Sequence, residues 1–223
     1  SGDREGNITS CPLDYDKLKA MPTPQKPKLL SVITSNKAFT KGHIDRLRFV
    51  ERLREHYGDK LDVFGRGFCD FADKWDVLAQ YKYHIVIENS SQRYYWTEKM
   101  SDCLLAGTFP FYYGCTNMDD YIPRKAYEPI DIHRPDEAIR IIDREIDSDR
   151  YTQSCDALLE ARRMMLDKYN MFEYIADICR NMDPSLPKKE VTIMPCHSSQ
   201  DWRNLWRYSV GRKWNELKWR LRK

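Results

Sequence analysis

The sequence predicts an α/β fold, a Rossmann-like parallel sheet flanked by helices. Short apolar runs alternate with segments of helical period, the order that builds βαβ units. The apolar runs lack a clean polar/apolar alternation, as expected of strands buried on both faces. Glycine or proline closes many of the segments, which gives each a natural end.

Taken in order, residues 1–27 are polar and then punctuated by Pro12, Pro22, Pro24 and Pro27. They read as a linker or an arm on the surface. Leu29–Ile33 is a first buried strand. Ile44, Leu47, Val50 and Leu53 follow helical spacing. Leu61–Phe64 is a second strand, ended by Gly65 and Gly67, and Trp75–Ala79 a short helix. His84–Ile87 is a third strand. Thr97–Ala106 is a helix stopped by Gly107. Phe109–Tyr113 is a fourth strand and Glu128–Ile132 a fifth. Pro135 opens a helix over 136–146, and Cys155–Tyr169 and Met171–Met182 are further helices. The domain is expected over 28–182, with an extension at 183–223.

Composition narrows the function. Apolar residues make up 41% of the 223, enough for a core, and charged residues 32%. A net charge of +3 gives no whole-molecule argument for nucleic acid, and none is expected as a partner. The seven cysteines are scattered, with no CxxC, so they read as small buried hydrophobes rather than a disulfide or zinc framework. No apolar run reaches membrane-spanning length. From Trp202 onward eight basic residues face one acid, and Val210, Trp214, Leu217 and Leu221 share one helical face. That pattern suits a basic amphipathic helix resting on an anionic membrane, so 202–223 is the expected peripheral contact. A helix packed across a neighbouring domain is the other reading.

The chemistry is expected in Glu88–Lys99. This polar segment leaves an apolar strand and leads into a helix, and open parallel sheets bind ligands at the carboxyl ends of their strands. A helix start carries partial positive charge and free N–H groups, and Lys99 adds a full charge, a combination suited to phosphate. Glu98 would repel a phosphate but can accept hydrogen bonds from sugar hydroxyls. No GxGxxG or GxxxxGK[ST] occurs.

The stretch Tyr81-Lys82-Tyr83 through Glu88-Asn89-Ser90, then Thr97-Glu98-Lys99, then Ala106-Gly107-Thr108-Phe109-Pro110 and Gly114, resembles the donor-binding motif of the alpha-1,3-fucosyltransferases. Ser35-Asn36, Arg46-x-x-Phe49 and Tyr121-Ile122-Pro123 are similar to further motifs of that family. The resemblance covers about residues 28–182. It implies the C-terminal, donor-binding half of a GT-B glycosyltransferase. It gives Arg46 and Lys99 to the diphosphate of GDP-fucose, Tyr95 and Glu98 to ribose or fucose hydroxyls, and places Asn89 in the same pocket.

The implied reaction is inverting transfer of L-fucose from GDP-fucose to a hydroxyl of an acceptor oligosaccharide or glycoconjugate. It needs no metal, since cations and the helix start stabilise the leaving group. No Asp-x-Asp is read as a metal–diphosphate bridge. The family's general base is a glutamate in a separate acceptor domain, so none is assigned here. The expected location is cytoplasmic, peripheral on the inner membrane, or the Golgi lumen if the source is eukaryotic. A GT-B enzyme for another nucleotide sugar, and a non-catalytic binding module of the same fold, are the alternatives.

Overall fold

The computed structural model describes residues 13–187, 190, 209–215, 217 and 219. Five parallel strands form one sheet: β1 (Lys28–Ile33), β2 (Leu61–Phe64), β3 (Tyr81–Ile87), β4 (Phe109–Tyr113) and β5 (Glu128–Pro129). Their order is β2-β1-β3-β4-β5. The chain therefore reverses its direction of growth between β1 and β3, and a crevice opens there beyond the strand ends. Leu30 pairs with Leu61 on one side and Tyr83 on the other. The helices are α1 (Tyr15–Ala20), α2 (Lys41–Tyr57), α3 (Lys74–Leu78), α4 (Glu98–Leu105), α5 (Pro135–Asp147), α6 (Arg150–Gln153), α7 (Cys155–Arg163) and α8 (Met171–Asn181). A π-helical turn, Met164–Lys168, follows α7.

Both faces of the sheet are covered because successive side chains of a strand point to opposite faces. On β3, the Tyr83 hydroxyl meets the Glu145 carbonyl of α5 and accepts the Tyr151 N–H of α6. The next residue, His84, is buried on the other face and bonds Ser31 of β1 through Nδ1 at 2.8 Å. Tyr83 stacks on Phe111 at 5.5 Å between ring centres. Leu30, Val32, Phe49, Leu53, Ile85 and Leu104 complete the centre of the core.

The strands lie close to their expected positions, and Thr97 is the N-cap of α4, its Oγ1 accepting the Lys99 N–H. Three differences are informative. The fifth strand ends at Pro129, since its pairing with β4 stops there. The helix expected over 155–169 passes into the π-helical turn at Met164. Residues 13–27 are not wholly extended: Asp14 caps α1, which docks on the end of α7 and the turn after it. Arg162 donates to the Leu18 carbonyl, while Tyr15 and Lys19 meet Asp167. Lys26 then donates to the carbonyls of Leu78 and Ala106 and to Thr108 Oγ1, binding the ends of α3 and α4 together.

The cysteine reading needs correction. Cys103 and Cys115 are buried, but Cys69, Cys155 and Cys179 are exposed because they fall on a loop and on the outer sides of α7 and α8. Cys11, Cys196, Trp202, Trp206 and Leu221 lie outside the described residues. Residues 209–215 are helical, with Val210 and Trp214 exposed, and Asn215 donates to the Phe39 carbonyl at 3.1 Å.

Candidate functional site

The loop after β1 leads into α2, whose apolar stripe of Leu47, Val50 and Leu53 faces the core. Arg46 lies on the same side and is drawn in, with only 6% of its surface exposed. Its Nη1 donates to Asn89 Oδ1 at 2.7 Å and its Nη2 to the Ser35 carbonyl at 3.2 Å. Both partners are neutral, and among the described residues no ion pair involves Arg46. Its Nε is buried without a partner. Burial pulls the guanidinium below the usual arginine value. A desolvated cation bridging the loops after β1 and β3, with no acid to neutralise it, is an arrangement that awaits an anion.

Gly42 makes this bridge possible. A Cβ there would stand 2.0 Å from the Asn89 carbonyl oxygen, so only glycine lets the first turn of α2 approach the loop after β3 this closely. Gly65, at the end of β2, permits a similar approach to the Thr34 carbonyl.

Glu88 directly follows β3, and its side chain is fully buried. Glu88 Oε1 accepts from the Thr97 N–H at 2.9 Å and from Thr97 Oγ1 at 2.8 Å. Glu88 Oε2 holds Lys99 Nζ at 3.0 Å. Here the structure departs from the sequence reading. The start of α4 does not offer the Thr97 N–H to an outside phosphate, because an internal carboxylate takes it. The charge of Lys99 is likewise shared with Glu88, while Arg46 is a buried cation with no counter-ion among the described residues.

Arg46, Glu98 and Lys99 nevertheless line one cleft of about 270 Å³, together with Arg66 and Lys74. Glu98 lies 3.5 Å from Lys99 and 3.7 Å from Lys74. Partial burial pushes its carboxyl up, but Lys99 and Lys74 pull it down further, so that it is held below the usual glutamate value and stays an ionised acceptor for hydroxyls. Asn89 joins the site through Arg46. Tyr95 is half-buried and does not line the cleft. Its neighbour Trp96 packs edge-on against Tyr121 and Tyr169.

The residues missed as functional are Ser35, Gly42, Lys74 and Glu88. Glu88 carried a signal, being a lone carboxylate closing a strand of apolar residues. Gly42 carried another, a glycine two residues after the helix-capping Thr40.

The fold and site together define a Rossmann-like α/β domain with a buried arginine at its topological switch point. Residues 23–152 match glycosyltransferase family 10 (fucosyltransferase), C-terminal part, and the chain belongs to this family. Alpha-(1,3)-fucosyltransferase 4 of Homo sapiens is 33% identical over 93 residues, covering 39% of this chain and 17% of that protein. Alpha-(1,3)-fucosyltransferase 7 of Homo sapiens is 31% identical over 117 residues, 49% of this chain and 32% of that protein. GDP-fucose protein O-fucosyltransferase 3 of Xenopus laevis is 31% identical over 91 residues, 35% of this chain and 19% of that protein. The chain thus matches about a third or less of the length of these relatives. A solved alpha1,3-fucosyltransferase with GDP-fucose is 20% identical, with a TM-score of 0.49, over 66% of this chain and 49% of that one.

Proposed function

We propose that this chain binds GDP-fucose and serves as the donor side of an inverting fucosyltransferase that acts on a hydroxyl of a glycan. The observation that carries this reading is the buried Arg46, held by Asn89 and Ser35 and lacking a counter-ion. Family membership supplies the nucleotide sugar.

In this reading Arg46 meets the diphosphate, where negative charge grows as the bond to fucose C1 breaks. A preformed, desolvated guanidinium stabilises that charge without reorganising. Lys99 adds to it, oriented by Glu88 and Thr97. Glu98 accepts from ribose or fucose hydroxyls and fixes the donor's register. Leaving-group stabilisation by these side chains requires no metal. The general base is not assigned to this chain.

Peripheral membrane association, with the chain on the cytoplasmic side, belongs to the same reading. The exposed Val210, Trp214 and Leu217 support it, beside the cations Arg212 and Lys213. Titration calorimetry with GDP, GDP-fucose and UDP tests the donor assignment. Guanosine nucleotides should bind and UDP should not; absence of heat with millimolar GDP would overturn it.

A further inference from the structure

The loop after β3 is gripped by the loop after β4 at three points. Ser91 Oγ donates to the Gly114 carbonyl at 2.8 Å, and the Thr116 N–H to the Gln92 carbonyl at 3.4 Å. The Tyr94 N–H donates to Asn117 Oδ1 at 2.8 Å. This third contact falls on a strained residue. Tyr94 has a φ of 65°, one of two positive values among the described residues other than glycine. The left-handed conformation crowds Cβ against the backbone and is an outlier for a bulky side chain. It persists where its surroundings impose it.

Burial of the Tyr94 ring does not impose it, because the residue is 66% exposed and its ring meets the guanidinium of its neighbour Arg93. Asn117 does. It is buried, and its own side chain is fixed: Nδ2 donates to Asp120 Oδ2 at 2.7 Å, and Oδ1 also accepts from Cys115 Sγ at 3.2 Å. The chain that leaves this turn is the cleft wall itself. Trp96 packs against Tyr121 and Tyr169, the Thr97 N–H reaches Glu88, and Glu98 and Lys99 come onto the cleft. With Tyr94 at a negative φ the chain would leave the turn in another direction, and Thr97 would lose its approach to Glu88.

We infer that Asn117 is a positioning residue for donor binding: it holds Tyr94 in the left-handed region and so places Thr97, Glu98 and Lys99. Asn117 does not itself line the Arg46 cleft, so it acts through the chain. The consequence for the donor rests on the GDP-fucose reading; the control of the turn does not.

Glycine takes a positive φ without a Cβ penalty, so a rescue experiment separates this role from a merely structural one. GDP affinity is measured on the full chain for Asn117→Ala, Tyr94→Gly and the double variant. Backbone hydrogen exchange, which needs no nucleotide, is followed in the same proteins. Asn117→Ala should bind GDP roughly fivefold more weakly, the scale of one hydrogen bond, and exchange faster over 94–97. In the Tyr94→Gly background the same substitution should cost about twofold or less in GDP affinity and leave exchange over 94–97 nearly unchanged. No loss of GDP affinity in Asn117→Ala, or an equal loss in both backgrounds, overturns the inference. So does faster exchange in β1 and β3 that is the same in both backgrounds, since that marks a general loss of stability. If no protein binds GDP, the parent included, the donor reading falls; faster exchange over 94–97 in Asn117→Ala, suppressed in the double variant, then still upholds the control of the turn by Asn117.

Discussion

Arg46 and Asn89 lie 43 positions apart in the sequence and meet through a 2.7 Å hydrogen bond across the crevice between β1 and β3. The bond ties α2 to the loop that follows β3 and fixes a buried positive charge where the sheet changes direction. Donor binding is expected to depend on this pair more than on Glu98 or Lys99.

Arg46→Ala should weaken GDP by roughly 10- to 100-fold, the range of a charge-assisted contact worth about 1.5–3 kcal/mol. Arg46→Lys should recover only part of it, since an ammonium cannot reproduce the guanidinium fork shared between Asn89 and Ser35. Calorimetry on the two variants gives the answer, and an unchanged GDP affinity in Arg46→Ala would contradict the site.

Gly42→Ala puts a methyl group 2.0 Å from a backbone oxygen of Asn89, and neither side can yield without moving the helix or the loop. The chain should lose about 1–3 kcal/mol of stability from the overlap. GDP should bind at least tenfold more weakly even where the protein is folded. Urea denaturation and GDP titration of one preparation separate the two effects, and a variant as tight as the parent would show that the close approach is not needed.

Glu88 and Lys99 form a pair that is costly to break from one side. Removing either partner of a buried pair costs about 3–5 kcal/mol, because the other charge is left alone. Glu88→Ala should fall at the upper end, since it also removes the acceptor of the Thr97 N–H and hydroxyl. Lys99→Met should cost less, because Lys99 is partly exposed. In a double-mutant cycle the combined variant should lose clearly less than the sum of the two. Simple additivity would mean that the 3.0 Å contact carries no energy.

His84 should make the fold less stable in acid. Burial brings its imidazole down to about 3, against about 6.5 in the unfolded chain. Below pH 6.5 the unfolded chain takes up a proton that the folded one excludes, so stability falls as pH falls. The loss is about 1.4 kcal/mol per pH unit, or roughly 2 kcal/mol at pH 5. His84→Gln removes the titrating group and should flatten this slope in urea titrations between pH 7 and pH 5. Equal slopes in the two proteins would exclude His84 as the origin.

The sheet was legible because its strands are short apolar runs with breakers at their ends, and burial on both faces leaves few other uses for such runs. The position of Arg46 was legible in part, since residues 46, 50 and 53 share one helical stripe with the core positions. What hid it was the habit of arginine to stay in water; only the resemblance singled it out among Arg48, Arg52 and Arg54. The role of Glu88 was not legible, because its partners are Thr97 and Lys99 and nothing local says that the loop returns to the strand end. Helix α1 escaped because the prolines around it read as extended chain, and its docking depends on Arg162 and Asp167, more than 140 residues away.

The ammonium of Lys26 stitches two helix ends to the strand that follows it, two residues ahead of β1. Anyone trimming the molecule back to its first strand for crystallisation or grafting would cut inside the folded unit. The helices lining the Arg46 cleft would then splay from their far ends, and an inactive fragment could be mistaken for an inactive protein. A cut that spares these contacts keeps α1 and its cap, Asp14.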